Sequence, residues 1–281
     1  MNPRKVQKSL THFENYLVVH KHVSPITAKG YSRSLSIALR RMRKFVPSYD
    51  DLIEYVVWMK NKKYSYSHIT NTMLALEHYM EFKGNPISLS RPRKPKRLIK
   101  NFLSESEVSR IINIATSCPR KHALVSLLAY SGLRNVELCA LKVKDVDLGD
   151  NDVHVNGGKN KQDRITNISS ECTRALINYL NYFPRKDDDY LFTTLRRGNP
   201  LASADLRKHI KILARKAKID KNVYPHLFRH SLASNLLNRG ANIILIKNQL
   251  GHAFIETTMI YVQSMSYREK SQYDYYKPAY S

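Results

Sequence analysis

Over the first 85 positions, apolar residues recur at three- and four-residue intervals, the period at which one face of an α-helix returns. Leu10, Phe13 and Leu17 make the first such face. A second helix is predicted to open at Ser24-Pro25, where serine can cap and proline suits the first turn, and to carry Tyr31, Leu35 and Leu39. Two more are expected over about Asp50–Lys60 and Ser65–Phe82, the latter presenting Ile69, Met73, Leu76 and Tyr79. Gly84-Asn85-Pro86 then stops the pattern.

The next stretch, SRPRKPKRLIK, holds Arg91, Arg93, Lys94, Lys96, Arg97 and Lys100, with two prolines and almost nothing apolar. It reads as an extended basic linker over residues 88–102, either a solvated tether or a segment that touches a nucleic-acid backbone. Helical patterning resumes at Leu103, where Ser104 and Glu107 match a capping box. A helix over Lys121–Tyr130 should end at Ser131-Gly132, and Asn135–Ala140 should form a short one. There the period changes. Asp152–Asn156 alternates, GGKNKQDR has turn chemistry, and Arg164–Ile168 can return as a second strand. From Ser170 onward the pattern is helical again, interrupted by DDDYLF and RRGNP, with Leu236, Leu237, Ile243, Ile244 and Ile246 expected in the core. The predicted fold class is therefore mainly α with a small antiparallel β-sheet in the C-terminal domain, the two domains covering residues 1–87 and 103–281.

Charge narrows the function. Lysine and arginine number 47 against 23 aspartate and glutamate, a net charge of +24. Self-repulsion of that size opposes compaction, so a polyanionic partner is expected, and nucleic acid is the first candidate. A membrane surface competes poorly, because no stretch approaches the ~20 apolar residues of a spanning helix. The N-terminal MNPRKVQKSL also lacks the apolar core of a signal peptide. Cys118, Cys139 and Cys172 are odd in number and far apart, which suits free thiols in a reducing cytoplasm. No CxxC pair, HExxH helix or P-loop is present, so no metal and no cofactor are expected.

Four segments of the second half carry the candidate chemistry. YSGLRNVEL places Arg134 just after a glycine-ended helix, and VNGGKNKQDR puts Lys159 and Lys161 on the hairpin turn. YPHLFRHSLASNLL sets His226 and Arg229 three residues apart on one helical face. QLGHAFIETTMIYV has His252 at a glycine turn and Tyr261 nine residues later. In this order and spacing the segments resemble the catalytic domain of the tyrosine recombinases, most closely the Xer-type and phage-integrase-like members. The chain has 18 tyrosines, and the distance from the LGH turn is what singles out Tyr261.

The resemblance implies a set of roles. Tyr261 would attack a DNA phosphate and hold it as a 3′-phosphotyrosyl ester, conserving the bond energy without ATP or metal. Arg134 and Arg229 would clamp the phosphate, a task suited to a planar fork that keeps its charge. His226 and His252 would hydrogen-bond its nonbridging oxygens, with His226 also a candidate to assist deprotonation of the nucleophile. The proton for the leaving 5′-oxygen would come from a hairpin lysine. The turn reads GGKNK where family members commonly read GKGxK, so Lys159 is favoured and Lys161 stays open. Glu137 matches an acidic position that supports the site without catalysing. His230, four residues after His226, completes the spacing of half a metal site, but no third ligand is evident and a structural role is expected.

At the domain level the resemblance implies a helical core-binding (SAM-like) DNA-binding domain over 1–87, the basic linker, and a catalytic domain over 103–281, together a C-shaped clamp on the duplex. Four chains would act on two synapsed sites through a Holliday junction, with the free protein a monomer or dimer. SMSYREKSQYDYYKPAYS, after Tyr261, is either a polar terminus or a helix that docks on a neighbouring protomer. Resolution of chromosome or plasmid dimers is the leading role. Integration of a mobile element, type IB topoisomerase action and a non-catalytic DNA-binding descendant remain alternatives, and the sequence names no accessory protein.

Overall fold

The computed structural model describes residues 3–93, 101–157, 163–194 and 198–262, and the chain divides into two compact units, 1–96 and 97–281. The first unit is four helices, α1 (Pro3–His20), α2 (Pro25–Met42), α3 (Tyr49–Asn61) and α4 (Tyr66–Phe82). Their starts follow from local chemistry. Ser24 accepts the Thr27 amide ahead of Pro25, Ser48 and Asp51 close a capping box, and Ser65 accepts the His68 amide. The apolar faces read from the sequence meet inside: Phe13, Leu17, Leu35, Leu39, Leu76 and Tyr79 are all fully buried, joined by Leu52 and Met59 of α3.

In the second unit, α5 (Glu105–Ala115) opens with the expected Ser104–Glu107 box, and α6 (Pro119–Ser131) runs through the middle. Helix α6 is apolar around nearly its whole circumference, as a helix packed on all sides must be. The short α7 (Asn135–Ala140) leads into a sheet of three strands in order β1 (Val146–Asp147), β2 (Asp152–Val155) and β3 (Arg164–Asn167). The β2–β3 hairpin is the expected one, with Val153 opposite Thr166 and Val155 opposite Arg164. The two-residue β1 was not foreseen, since so short a strand has no period to read. Five helices follow: α8 (Ser170–Tyr182), α9 (Ser203–Lys216), α10 (Pro225–Asn238), α11 (Ile243–Leu250) and α12 (Glu256–Val262).

One core expectation fails. Ile244 is 56% exposed, because α11 turns Ile246 and Leu250, one turn apart, into the interior and leaves Ile244 on the far side. Leu236 and Leu237 only pack against the cluster that Ile246 belongs to. All three cysteines are free, and burial pushes the Cys172 thiol up to about 12, which leaves it unreactive. Among the described residues no helix is long and apolar enough to cross a membrane.

The end of α6 governs what comes next. Gly132 takes the left-handed conformation at φ +67, and a Cβ there would stand 2.8 Å from Leu250 Cδ2. Replacing Gly132 with alanine is expected to destabilise the protein by about 1–2 kcal/mol from backbone handedness alone, read as a lowered urea midpoint at unchanged m-value.

Candidate active site

Arg134 enters the site because α6 is capped by Gly132 and α7 begins three residues later, at Asn135, with Arg134 as its N-cap. Its backbone N–H donates to Glu137 Oε2 at 2.7 Å and its Nη1 to Glu137 Oε1 at 2.7 Å. Glu137 also accepts both terminal nitrogens of Arg164, at 3.0 and 2.7 Å, a bidentate pair. The carboxylate is thus pinned between two guanidinium groups. Burial alone would raise its pKa, but hydrogen bonds from Arg164 and Arg134 outweigh that and bring it down to about 2.

Arg164 is a site residue that sequence reasoning missed. It was read only as the start of a strand, since nothing local marks one arginine of 47 basic residues. Its side chain lies against the LGH turn so closely that a Cβ on Gly251 would fall 2.1 Å from Arg164 Cδ. Gly251 is itself left-handed at φ +64. Arg164 therefore touches the turn carrying His252 while holding the carboxylate that holds Arg134.

Arg229, on α10, is 1% exposed. Its Nη1 donates to the Gly132 carbonyl at 2.6 Å and its Nη2 to the Leu250 carbonyl at 2.5 Å. These carbonyls end α6 and α11, where the helix dipole is negative. Burial, then Arg134 and Arg164, lower its pKa to about 10, still charged at neutral pH. Arg134 Nη2 reaches the neighbouring Gly251 carbonyl at 3.4 Å. Both arginines are therefore referenced to the same turn.

The histidines sit in this positive field. His252 falls to about 4, from burial and then Arg229 and Arg134. Its Nδ1 is 2.9 Å from the hydroxyl of the fully buried Thr258, and a hydroxyl donating there leaves Nε2–H as the donor. Thr258 was another residue the sequence did not flag. His226 keeps one side in solvent, and its pKa is lowered by partial burial and by Arg229 and Arg134.

Tyr261 lies on α12, 3% exposed, packed with Ala233, Ile246 and Leu250. Burial raises its phenol to about 12, with Arg229 pulling the other way. Its hydroxyl is 2.8 Å from His230 Nδ1, so His230 has a closer connection to the candidate nucleophile than the structural role read from the sequence. Arg134, His226, Arg229, His252 and Tyr261 are brought together. Lys159 and Lys161 lie outside the described residues, as does the segment after residue 262.

Residues 101–268 match the Phage integrase family. Tyrosine recombinase XerA of Pyrococcus furiosus is 34% identical over 261 residues, which cover 90% of this chain and 88% of that protein. The crystal structure of a XerA recombinase aligns with a TM-score of 0.58 at 33% identity, over 98% of this chain and 100% of the other. XerH recombinase bound to its difH substrate, a pre-cleavage complex, shares the fold with a TM-score of 0.66 at 18% identity, over 99% of this chain and 90% of the other. With the family matched over most of its length, the chain belongs to the phage integrase family and is a tyrosine site-specific recombinase similar to the Xer type.

Proposed function

We propose that this recombinase acts on double-stranded DNA, with Tyr261 attacking the scissile phosphate to give a 3′-phosphotyrosyl intermediate. The observation that carries the reading is the buried Tyr261 phenol held beside Arg229, in a site whose charge is fixed and positive. Attack loads extra negative charge onto a pentacoordinate phosphate, and preorganised donors stabilise that charge at no reorganisation cost. Arg134 and Arg229 take the nonbridging oxygens. Two N–H groups of Arg229 go to carbonyls and its others are left for an anion. His252, neutral with Nε2–H outward from its Thr258 bond, adds a donor, and His226 a second. Glu137 and Arg164 brace the arginine clamp.

A hairpin lysine supplies the proton to the 5′-oxygen, Lys159 in preference to Lys161. The first unit serves as the core-binding domain and the basic linker follows the DNA backbone. Four protomers exchange strands in pairs through a Holliday junction on two synapsed sites, and the tail after Tyr261 docks on a neighbour. The role is resolution of chromosome or plasmid dimers in the cytoplasm. Support for DNA as partner comes from the net charge of +24 and from the fold shared with XerH on difH.

Three outcomes test this. On a nicked suicide duplex bearing a site recovered by footprinting, the native chain should form a covalent protein–DNA adduct on a denaturing gel and Tyr261→Phe should form none. An undiminished adduct in that variant rejects the nucleophile. Lys159→Ala should cut the cleavage rate by about 10²–10⁴ and recover on a 5′-phosphorothiolate duplex, whose leaving group needs no proton, while Lys161→Ala should stay near native. The reverse pattern would move the acid to Lys161.

Glu137→Gln addresses the brace. The folded pKa of about 2 lies below the ordinary 4.5, so its stabilisation is complete above pH 4.5 and fades as pH falls toward 2. The native chain should exceed the variant by about 3 kcal/mol at pH 7 in chemical unfolding, a gap that narrows below pH 4.5. A gap independent of pH would show that the charge is not what stabilises.

A further inference from the structure

Among the described residues, three tyrosines are almost wholly buried with a hydrogen-bond partner resolved for the hydroxyl, and one of them is unlike the others. Tyr79 donates to the Phe45 carbonyl at 2.9 Å, and Tyr179 donates to the Leu191 carbonyl at 2.9 Å. A carbonyl satisfies a buried hydroxyl but has no useful affinity for its proton. Tyr261 instead has its oxygen 2.8 Å from the Nδ1 of an imidazole, His230. If hydrogen-bond satisfaction were the whole requirement, a carbonyl would do here as well.

We propose that His230 is the general base of DNA cleavage, its Nδ1 taking the proton from Tyr261 as the phenol oxygen attacks phosphorus. This rests on Tyr261 being the nucleophile and goes beyond that reading, which left His226 as the assisting histidine. The geometry is set by α10. Arg229 and His230 are adjacent, so one helix sends a guanidinium toward the ends of α6 and α11 and an imidazole toward α12. Ala233, Ile246 and Leu250 hold the phenol ring in place. The His230 and Tyr261 rings lie 5.7 Å apart, tilted by 54°. His226, one turn earlier, meets the His230 ring edge to face, with ring centroids 4.6 Å apart.

The protonation states agree with this assignment. Burial, then His226 and Arg229, hold His230 down at about 4, so it is neutral and its Nδ1 can accept. Burial keeps Tyr261 at about 12, so the proton rests on the phenol until the reaction calls for it. Transfer therefore accompanies attack, because bonding of the oxygen to phosphorus is what makes its proton acidic. The diester's negative charge opposes the field of Arg229 and raises the affinity of the imidazole. In the step, the Oη–H bond breaks and its proton goes to Nδ1, while an Oη electron pair forms the Oη–P bond. The P–O5′ bond breaks, its electron pair leaves on O5′, and the hairpin lysine protonates that oxygen. Religation runs in reverse, with His230 returning its proton to the departing Tyr261.

The test is single-turnover adduct formation on the nicked suicide duplex, using the full-length chain. His230→Ala should slow the reaction about 100-fold or more, and free imidazole should recover at least about tenfold of that loss. His230→Asn puts an amide oxygen where Nδ1 stands, able to accept the hydrogen bond but not the proton, and should remain as slow as alanine. Thermal midpoint and duplex affinity of the asparagine variant should match native. Native-like rates in asparagine would reduce His230 to a positioning residue, and native-like rates in alanine would remove it altogether; either overturns the proposal. So does a slow alanine variant that imidazole leaves unchanged. Tyr261→Phe, run alongside, separates the two levels: an adduct there defeats the nucleophile, whereas its loss with fast His230 variants defeats the base alone.

Discussion

A single buried cation sets the layout of the catalytic half. Stripping a guanidinium of water costs several kcal/mol, and Arg229 is exposed by only 1%. The compensation comes from two helix ends, the Gly132 carbonyl after α6 and the Leu250 carbonyl at the end of α11. Each lies at the negative pole of its helix, so the charge meets both hydrogen bonds and a favourable field. Helices α6, α10 and α11 then cannot shift independently without leaving a charge unpaired in the interior. Gly132 belongs to the same constraint, since its left-handed turn and its lack of a Cβ let α6 stop against Leu250.

The rest of the positive field is braced from outside that centre. The Glu137 carboxylate is set among these arginines and is divided between Arg134 and Arg164. Arg164 comes from the first residue of β3, so the hairpin, the start of α7 and the LGH turn meet around one side chain. Gln249 and Thr166 add to the seam: Thr166 Oγ1 donates to the Ser131 carbonyl at 2.7 Å, and Gln249 Nε2 donates to the Asn167 carbonyl at 2.7 Å. A sheet of three short strands, weak alone, is made rigid by these bonds to α6 and α11.

That rigidity bears on the chemistry. The arginines keep their charge, and burial, seconded by that charge, lowers the pKa of the histidines beside them, so His226, His230 and His252 serve as hydrogen-bonding groups and a proton acceptor. Each ring has its own hydroxyl partner at Nδ1, Thr258 for His252 and Tyr261 for His230. Fixed charge for the phosphate and neutral rings for the protons thus come from α10, the LGH turn it faces and Arg134 at the start of α7.

Much of this was legible in the chain. Helix starts were, because Ser24, Ser65 and the Ser104–Glu107 box act on amides three residues away. The β2–β3 hairpin was, because its alternation and its turn residues are local. The spacing of Arg134, His226, Arg229, His252 and Tyr261 could be read as a set, although any one of them alone meant little. Other features depended on contacts between residues far apart in sequence. Arg164 finds Glu137 across 27 positions, His230 finds Tyr261 across 31, and Arg229 finds Gly132 across 97. Ile244 looked apolar enough for the core and faces out, since the neighbours of α11, not its composition, decide which side is inside. Sequence determined the residue types and the local turns that aim them. Tertiary structure decided which charge each one feels, because burial and through-space fields have no sequence separation.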